Sequence, residues 1–196
     1  MDIEVKGLTK SYEDKLVLDG FNAVFPEGSI TCIMGGSGCG KTTLLNIMLG
    51  FLKADEGTIA GLPEHIGVVF QEDRLCESHS AVSNVRLVTG DRFTKEQIAQ
   101  ELVNLDIAAE DVNKPVSEFS GGMKRRVALV RAVIAPGDVL ILDEPFKGLD
   151  DDTRGAAMRY VLNRAADRLI LLVTHDRAEA EAMGALKTIQ IGGDEA

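Results

Sequence analysis

The chain has 196 residues, 45% of them hydrophobic and 27% charged, which is enough for one well-buried domain, short for two, and unlike a disordered segment. A formal net charge of -10 and a pI near 4.8 argue against general attraction to nucleic acid or anionic lipid, so any phosphate site must build its positive potential locally. Cys32, Cys39 and Cys76 form no C-x-x-C pair, and neither a basic leader nor an apolar run of about 18 residues is present, so the expectation is a reducing, cytoplasmic setting without a membrane span.

The first third reads as strands: I-E-V from Ile3, Leu16 to Phe25 before Pro26, and Ser29 to Met34. The last is apolar on both faces, as suits a central parallel strand, and runs into a Gly-rich loop and a helix from Lys41 to about Phe51. Short strands follow near Thr58 and at Ile66 to Phe70. From about residue 72 to 135 the spacing turns helical, with Thr94 and Gln97 placed as a capping box and a helix opening at Ser120, Gly121 and Gly122. Strand and helix then alternate: Val139 to Asp143, Thr153 to Ala166, Leu169 to His175, Asp176 to Met183, Lys187 to Ile191. Such alternation predicts an α/β fold, a mostly parallel sheet with helices on both faces, whose ligands bind beyond the carboxyl ends of strands.

G-G-S-G-C-G-K-T fits G-x-x-x-x-G-K-[ST] at Gly35, Gly40, Lys41 and Thr42, between a strand and a helix as the motif requires. The nucleotide-binding candidates are therefore Gly35, Gly36, Ser37, Gly38, Cys39, Gly40, Lys41, Thr42 and Thr43. Lys41 reaches the β- and γ-phosphates of a nucleoside triphosphate and Thr42 offers its hydroxyl to Mg²⁺; Cys39 sits in an electropositive setting, where alkylation should abolish hydrolysis. V-L-I-L-D-E-P ends an apolar strand in two acids, Asp143 as the Mg²⁺ partner and Glu144 as the group that polarises an attacking water.

A second phosphate cradle stands at Ser120, Gly121 and Gly122, where a helix start presents free N–H groups. With Gly35 to Thr42 as Walker A, Gln71, F-S-G-G-M, L-I-L-D-E-P, K-G-L-D and His175, the motifs fall in an order that resembles ABC-type ATPase domains over nearly the whole chain. The resemblance implies a single P-loop NTPase (RecA-like) domain over residues 1–196, with an N-terminal antiparallel β subdomain and a helical subdomain at about 72–135. It also implies head-to-tail homodimers closed by ATP, in which Ser120, Gly121 and Gly122 bind the γ-phosphate held by the neighbour. Tyr12 would stack on adenine, Gln71 would reach Mg²⁺, His175 would contact the γ-phosphate and orient Glu144, and Asp150 would brace the opposing site. Met123 stands where the family usually has glutamine.

The region around Gln71, the family's Q-loop, is most similar to importer subunits of the nitrate, sulfonate and taurine type. This implies a membrane permease docked at the Q-loop and helical subdomain, for which Leu75, Cys76, Val82 and Val85 are candidate contacts, and a peripheral place on the inner membrane face. A solute-binding protein belongs to such systems; nucleic acid does not. Packing of the same apolar residues in their own core is the alternative. An exporter or lipid-extraction ATPase and a soluble ATP-gated clamp remain open. The chain ends about twenty residues after His175, so no C-terminal regulatory domain is expected.

Overall fold

The computed structural model describes residues 2–13 and 15–192. These fall into two compact units, one made of the described residues up to 64 and from 167 onward, the other of residues 65–166.

In the first unit, strand β1 (Ile3–Tyr12) is flanked by β2 (Lys15–Phe25) and β4 (Glu56–Ala60), both antiparallel to it. Only its first residues looked like a strand in sequence. Pairing with β4 runs as far as Thr9 and pairing with β2 carries it to Tyr12, and a register shift around Gly7 (φ 58°) moves the buried series from Ile3 and Val5 to Leu8. β3 (Ile30–Met34) lies between β7 (Leu169–Val173) and β8 (Lys187–Gln190), parallel to both. β7 is buried throughout and β3 nearly so, which explains their unbroken apolar sequences. Helix α1 (Lys41–Met48) buries Leu44, Leu45 and Met48, each worth about 1.5–3 kcal/mol of transfer energy. It stops short of the expected Phe51 because Gly50 turns to φ 72° and the Phe51 and Leu52 N–H groups both fold back onto the Asn46 carbonyl. α6 (Arg177–Ala182) follows β7.

The second unit is built on β5 (Ile66–Val69) and β6 (Val139–Asp143), a parallel pair. Between them in sequence come α2 (Ala81–Thr89), α3 (Lys95–Val103), a single-turn helix at Val116–Glu118 and α4 (Gly121–Val133); α5 (Asp151–Arg164) follows β6. The unit is wider than the helical stretch at 72–135 because both strands and α5 pack with it. The Thr94–Gln97 capping box is formed as expected, each side chain accepting from the other residue's N–H.

α2 packs against α3 and α4, which corrects one expectation. Val82 and Val85 are 4% and 0% exposed and belong to the core, since an apolar stripe at helical spacing turns first to its own neighbours. The exposed apolar residues of α2 are Leu87 and Val88. Leu75 is half-buried and Cys76 exposed. Asn84, fully buried, accepts the Cys76 N–H at 2.7 Å and donates to the carbonyls of Cys76, His79 and Ser80, so it ties down the loop before α2. Among the described residues no helix is long and apolar enough to cross a membrane.

Candidate functional site

The loop after β3 is shaped by glycine where glycine is needed. Gly35, Gly38 and Gly40 have φ of 154°, 76° and 107°. A Cβ on Gly35 would meet the Ile191 carbonyl oxygen at 2.4 Å, and one on Gly40 would meet that of Val17 at 2.9 Å. The loop is thus pressed between the end of β8 and β2, with its outward arc at Gly36, Ser37 and Gly38 exposed. Gly40 is the N-cap of α1 and supplies no side-chain acceptor. The orphan N–H groups of the first turn and the positive dipole end are therefore left for an anion. Lys41 adds the charge: its Nζ donates to the Gly35 and Gly36 carbonyls at 2.6 and 2.8 Å and lies 3.7 Å from Cys39 Sγ. Thr42 is exposed and Thr43 half-buried on the same turn. These residues fit a polyphosphate: a concave run of backbone, an uncapped helix start and one ammonium.

Other candidates of this unit flank the loop. Ile33 lies opposite Val173 in the β3–β7 register, so Gly35 and His175 leave neighbouring parallel strands at the same end. His175 is exposed. Its loop is fixed by Thr174, fully buried, whose Oγ1 accepts the Asp176 N–H and donates to Glu179 at 2.6 Å. Tyr12 closes the β1–β2 hairpin, paired with Lys15, near the Val17 that backs Gly40. The residue is 45% exposed, with Lys10 Nζ 5.8 Å from the ring centroid. Asp55 braces this strand end, accepting from Lys10 Nζ at 2.6 Å and from the Ser11 N–H at 2.8 Å. The Lys10 bond and then the Ser11 bond hold its carboxyl below the usual carboxylate value.

The second unit repeats the logic. Val69 pairs with Leu142, so Gln71 and Glu144 emerge two residues later from adjacent parallel strands. Asp143 is buried at the end of β6, Glu144 is half-buried with a left-handed φ of 48°, and the Gln71 side chain is exposed. A non-glycine residue held at positive φ costs of order 1–3 kcal/mol and is typical of functional turns. Asp150 caps α5, accepting from the Thr153 N–H and hydroxyl at 3.0 and 2.8 Å. The backbone bond and then the side-chain bond from Thr153 hold its carboxyl below the usual value.

At the start of α4, Ser120 Oγ accepts the Met123 N–H at 3.2 Å, which leaves its own hydroxyl proton to donate outward. Phe119 is buried as an apolar anchor and Met123 half-buried. A Cβ on Gly121 would meet nothing within 4 Å, and one on Gly122 only a Leu149 methyl at 3.7 Å.

Sequence reasoning missed the basic residues of α4. Arg125 is 7% exposed; its Nη1 and Nη2 donate to the carbonyls of Phe70 and Gln71 at 2.8 and 2.6 Å, and Nε lies 3.1 Å from Asp73 Oδ1. Arg131 donates to the carbonyls of Arg74 and Asp73 at 2.7 and 2.8 Å, and Lys124 pairs with Glu77 at 2.9 Å. Burial pushes the Asp73 carboxyl up, against the pull of Arg125, Arg131 and Lys124. The sequence carries no signal for this: Lys124, Arg125 and Arg126 are consecutive and span about 200° of a helix, an arc that an amphipathic helix with an apolar stripe of about 100° can leave in solvent.

Comparison with known proteins agrees with these observations. Residues 18–147 match the family model described as ABC transporter. The chain is 37% identical over 186 residues to an aliphatic sulfonates import ATP-binding protein of Rhodococcus jostii, covering 91% of this chain and 74% of the relative. It is 36% identical over 211 residues to an Fe(3+) ions import ATP-binding protein of Mesorhizobium japonicum, covering 97% of this chain but only 58% of the relative. The dimeric structure of a bacterial ABC transporter cassette aligns at a TM-score of 0.84 with 27% identity, covering 96% of this chain and 94% of that one. A post-hydrolysis state of the same cassette, bound to ADP and Pi, aligns at 0.83. The chain belongs to the ABC transporter family and has the P-loop α/β fold of its ATP-hydrolysing cassettes.

Proposed function

We propose that the chain is the ATP-hydrolysing subunit of an ABC importer, working as a homodimer whose copies close head to tail on ATP and drive a membrane permease. The residues of the Gly35–Thr43 loop hold the triphosphate, with Lys41 on its terminal phosphates and Tyr12 against the base. Thr42, Gln71 and Asp143 bring hydroxyl, amide and carboxylate oxygens, a hard donor set suited to Mg²⁺. Bound Mg²⁺ supplies charge neutralisation on the phosphates. Glu144 accepts a hydrogen bond from the attacking water and His175 steadies Glu144 and the γ-phosphate. The second cradle serves the other copy's nucleotide, so hydrolysis removes the bridge and the pair opens.

The observation that carries the shared-site reading is the α4 start. Gly121 and Gly122 have room for side chains within their own fold, so their bareness matters to something approaching from outside. A dimeric cassette among the similar structures supports the same arrangement. The importer assignment draws on relatives whose names specify import of aliphatic sulfonates and Fe(3+) ions. Those cargoes differ at nearly the same identity, so cargo is left to the partners. The permease contact falls on the loop at Leu75 and Cys76 and on exposed Leu87 and Val88, and it holds the chain at the cytoplasmic face of the membrane.

Glu144→Gln tests this. With ATP and Mg²⁺ it should accumulate as a dimer by light scattering while hydrolysis falls, and from detergent-solubilised membranes it should carry down a multi-span permease, with any solute-binding protein. A strict monomer at saturating nucleotide overturns the shared site. Recovery of soluble complexes alone overturns the importer assignment.

A further inference from the structure

We propose that Arg125, with Arg131 beside it, is a positioning residue that couples the start of α4 to Gln71, so that a phosphate seated on Ser120, Gly121 and Gly122 sets the place of the Gln71 side chain. The inference rests on the roles proposed above for those residues.

Gln71 is held by its backbone, and its side chain is exposed. Its carbonyl and that of Phe70 accept from one buried guanidinium, and those of Asp73 and Arg74 accept from a second on the same helix. Four of five successive carbonyls thus hang on α4. Within the loop, Arg74 turns at φ 46° and its guanidinium lies 4.0 Å from the Phe70 ring centroid, closing residues 70–74 on themselves. The loop therefore moves as a body, and the body follows the helix. Arg125 lies five residues, about 7.5 Å, along α4 from Ser120, and a regular helix transmits displacement over that distance without loss.

The planar fork of arginine is required. Two nitrogens of Arg125 donate to two carbonyls in fixed directions while Nε lies 3.1 Å from the Asp73 carboxylate, whereas a lysine has one nitrogen on a flexible stem. The helix also carries its own control: Arg126 Nη1 donates to the carbonyls of Leu105 and Asp106, at 3.3 and 2.7 Å, away from Gln71.

The test compares Arg125→Lys with Arg126→Gln in the full chain. Arg125→Lys should leave the affinity of a fluorescent ATP analogue unchanged, lower kcat by about tenfold to a hundredfold as expected for a misplaced catalytic group, and raise the Mg²⁺ concentration giving half-maximal rate. In hydrogen–deuterium exchange on the Glu144→Gln background, ATP should protect the amides of residues 71–74, and Arg125→Lys should abolish that protection. Arg126→Gln should lower Tm but keep both the Mg²⁺ dependence and the ATP-induced protection. Equal kinetic effects of the two substitutions, or protection retained in Arg125→Lys, overturn the coupling. Wild-type turnover and Gln71→Ala are measured alongside. If the wild type does not hydrolyse ATP or Gln71→Ala turns over normally, the reading of Gln71 falls and takes this inference with it; with both as expected, a normal Arg125→Lys overturns the coupling alone.

Discussion

Replacing Ser120 by aspartate sets helix capping against phosphate binding, because the two predict opposite results. As an N-cap, Ser120 accepts the Met123 N–H at 3.2 Å. Aspartate caps as well as serine, and a negative charge at a helix start adds about 0.3–1 kcal/mol, so the isolated chain should keep its Tm or gain slightly. In the ATP-bound dimer the new carboxylate would face the γ-phosphate. Two unit charges 4 Å apart repel by about 1 kcal/mol in bulk water and about 4 kcal/mol at an effective dielectric of 20. Ser120 is exposed in the single chain, so the lower figure describes the encounter and the higher one the closed interface. The head-to-tail pair holds two such contacts, so at about 1.4 kcal/mol per tenfold ATP-driven dimerisation should weaken by between about thirtyfold and about five-hundred-thousandfold. The assay is sedimentation velocity or light scattering against chain concentration in the Glu144→Gln background, with nucleotide affinity of the monomer measured separately. Ser120→Ala is the complement: it should cost about 1 kcal/mol of stability and weaken the dimer less. If Ser120→Asp dimerises with ATP as tightly as its parent, no phosphate sits at this helix start and the shared-site reasoning fails.

Gly40→Ala should cripple nucleotide binding, because the residue sits at φ 107° and the new Cβ would lie 2.9 Å from the Val17 carbonyl oxygen; normal titration with a fluorescent ATP analogue would show that the loop simply relaxes. The cysteines should separate by maleimide labelling at pH 8, read by mass spectrometry. Exposed Cys76 should react first and half-buried Cys39 more slowly, with ATP protecting only Cys39; equal Cys39 labelling with and without ATP refutes that part. Cys32 should stay unlabelled until the chain unfolds, since burial and then the Glu179 charge push its thiol up to about 11 despite a backbone hydrogen bond from Thr174. For Asp55 the folded value is depressed by Lys10 and Ser11, so its contribution to fastening the strand end at Tyr12 is present above the unfolded value of about 3.9 and is lost as pH falls through the folded one. A carboxyl NMR titration with its midpoint at or above the ordinary value would contradict this.

What residue type and spacing determined were the local demands of the backbone. Three glycines at positive φ before Lys41, the Thr94–Gln97 box, and apolar strands running into Asp143 and His175 each follow from the geometry of a few consecutive residues. The phosphate loop was therefore legible, and so was the order of strand and helix. Which face of an element turns inward was not, because that depends on partners far along the chain. Val82 and Val85 looked available for a partner until α3 and α4 covered them, and β1 looked like three residues until two strands paired along it. Arg125 belongs with these: within K-R-R it reads as one more solvated charge, yet it is buried on the carbonyls of Phe70 and Gln71, more than fifty residues earlier. Only tertiary packing brings a guanidinium to those carbonyls, since the free energy of desolvating it is recovered by bonds to residues that sequence distance keeps apart.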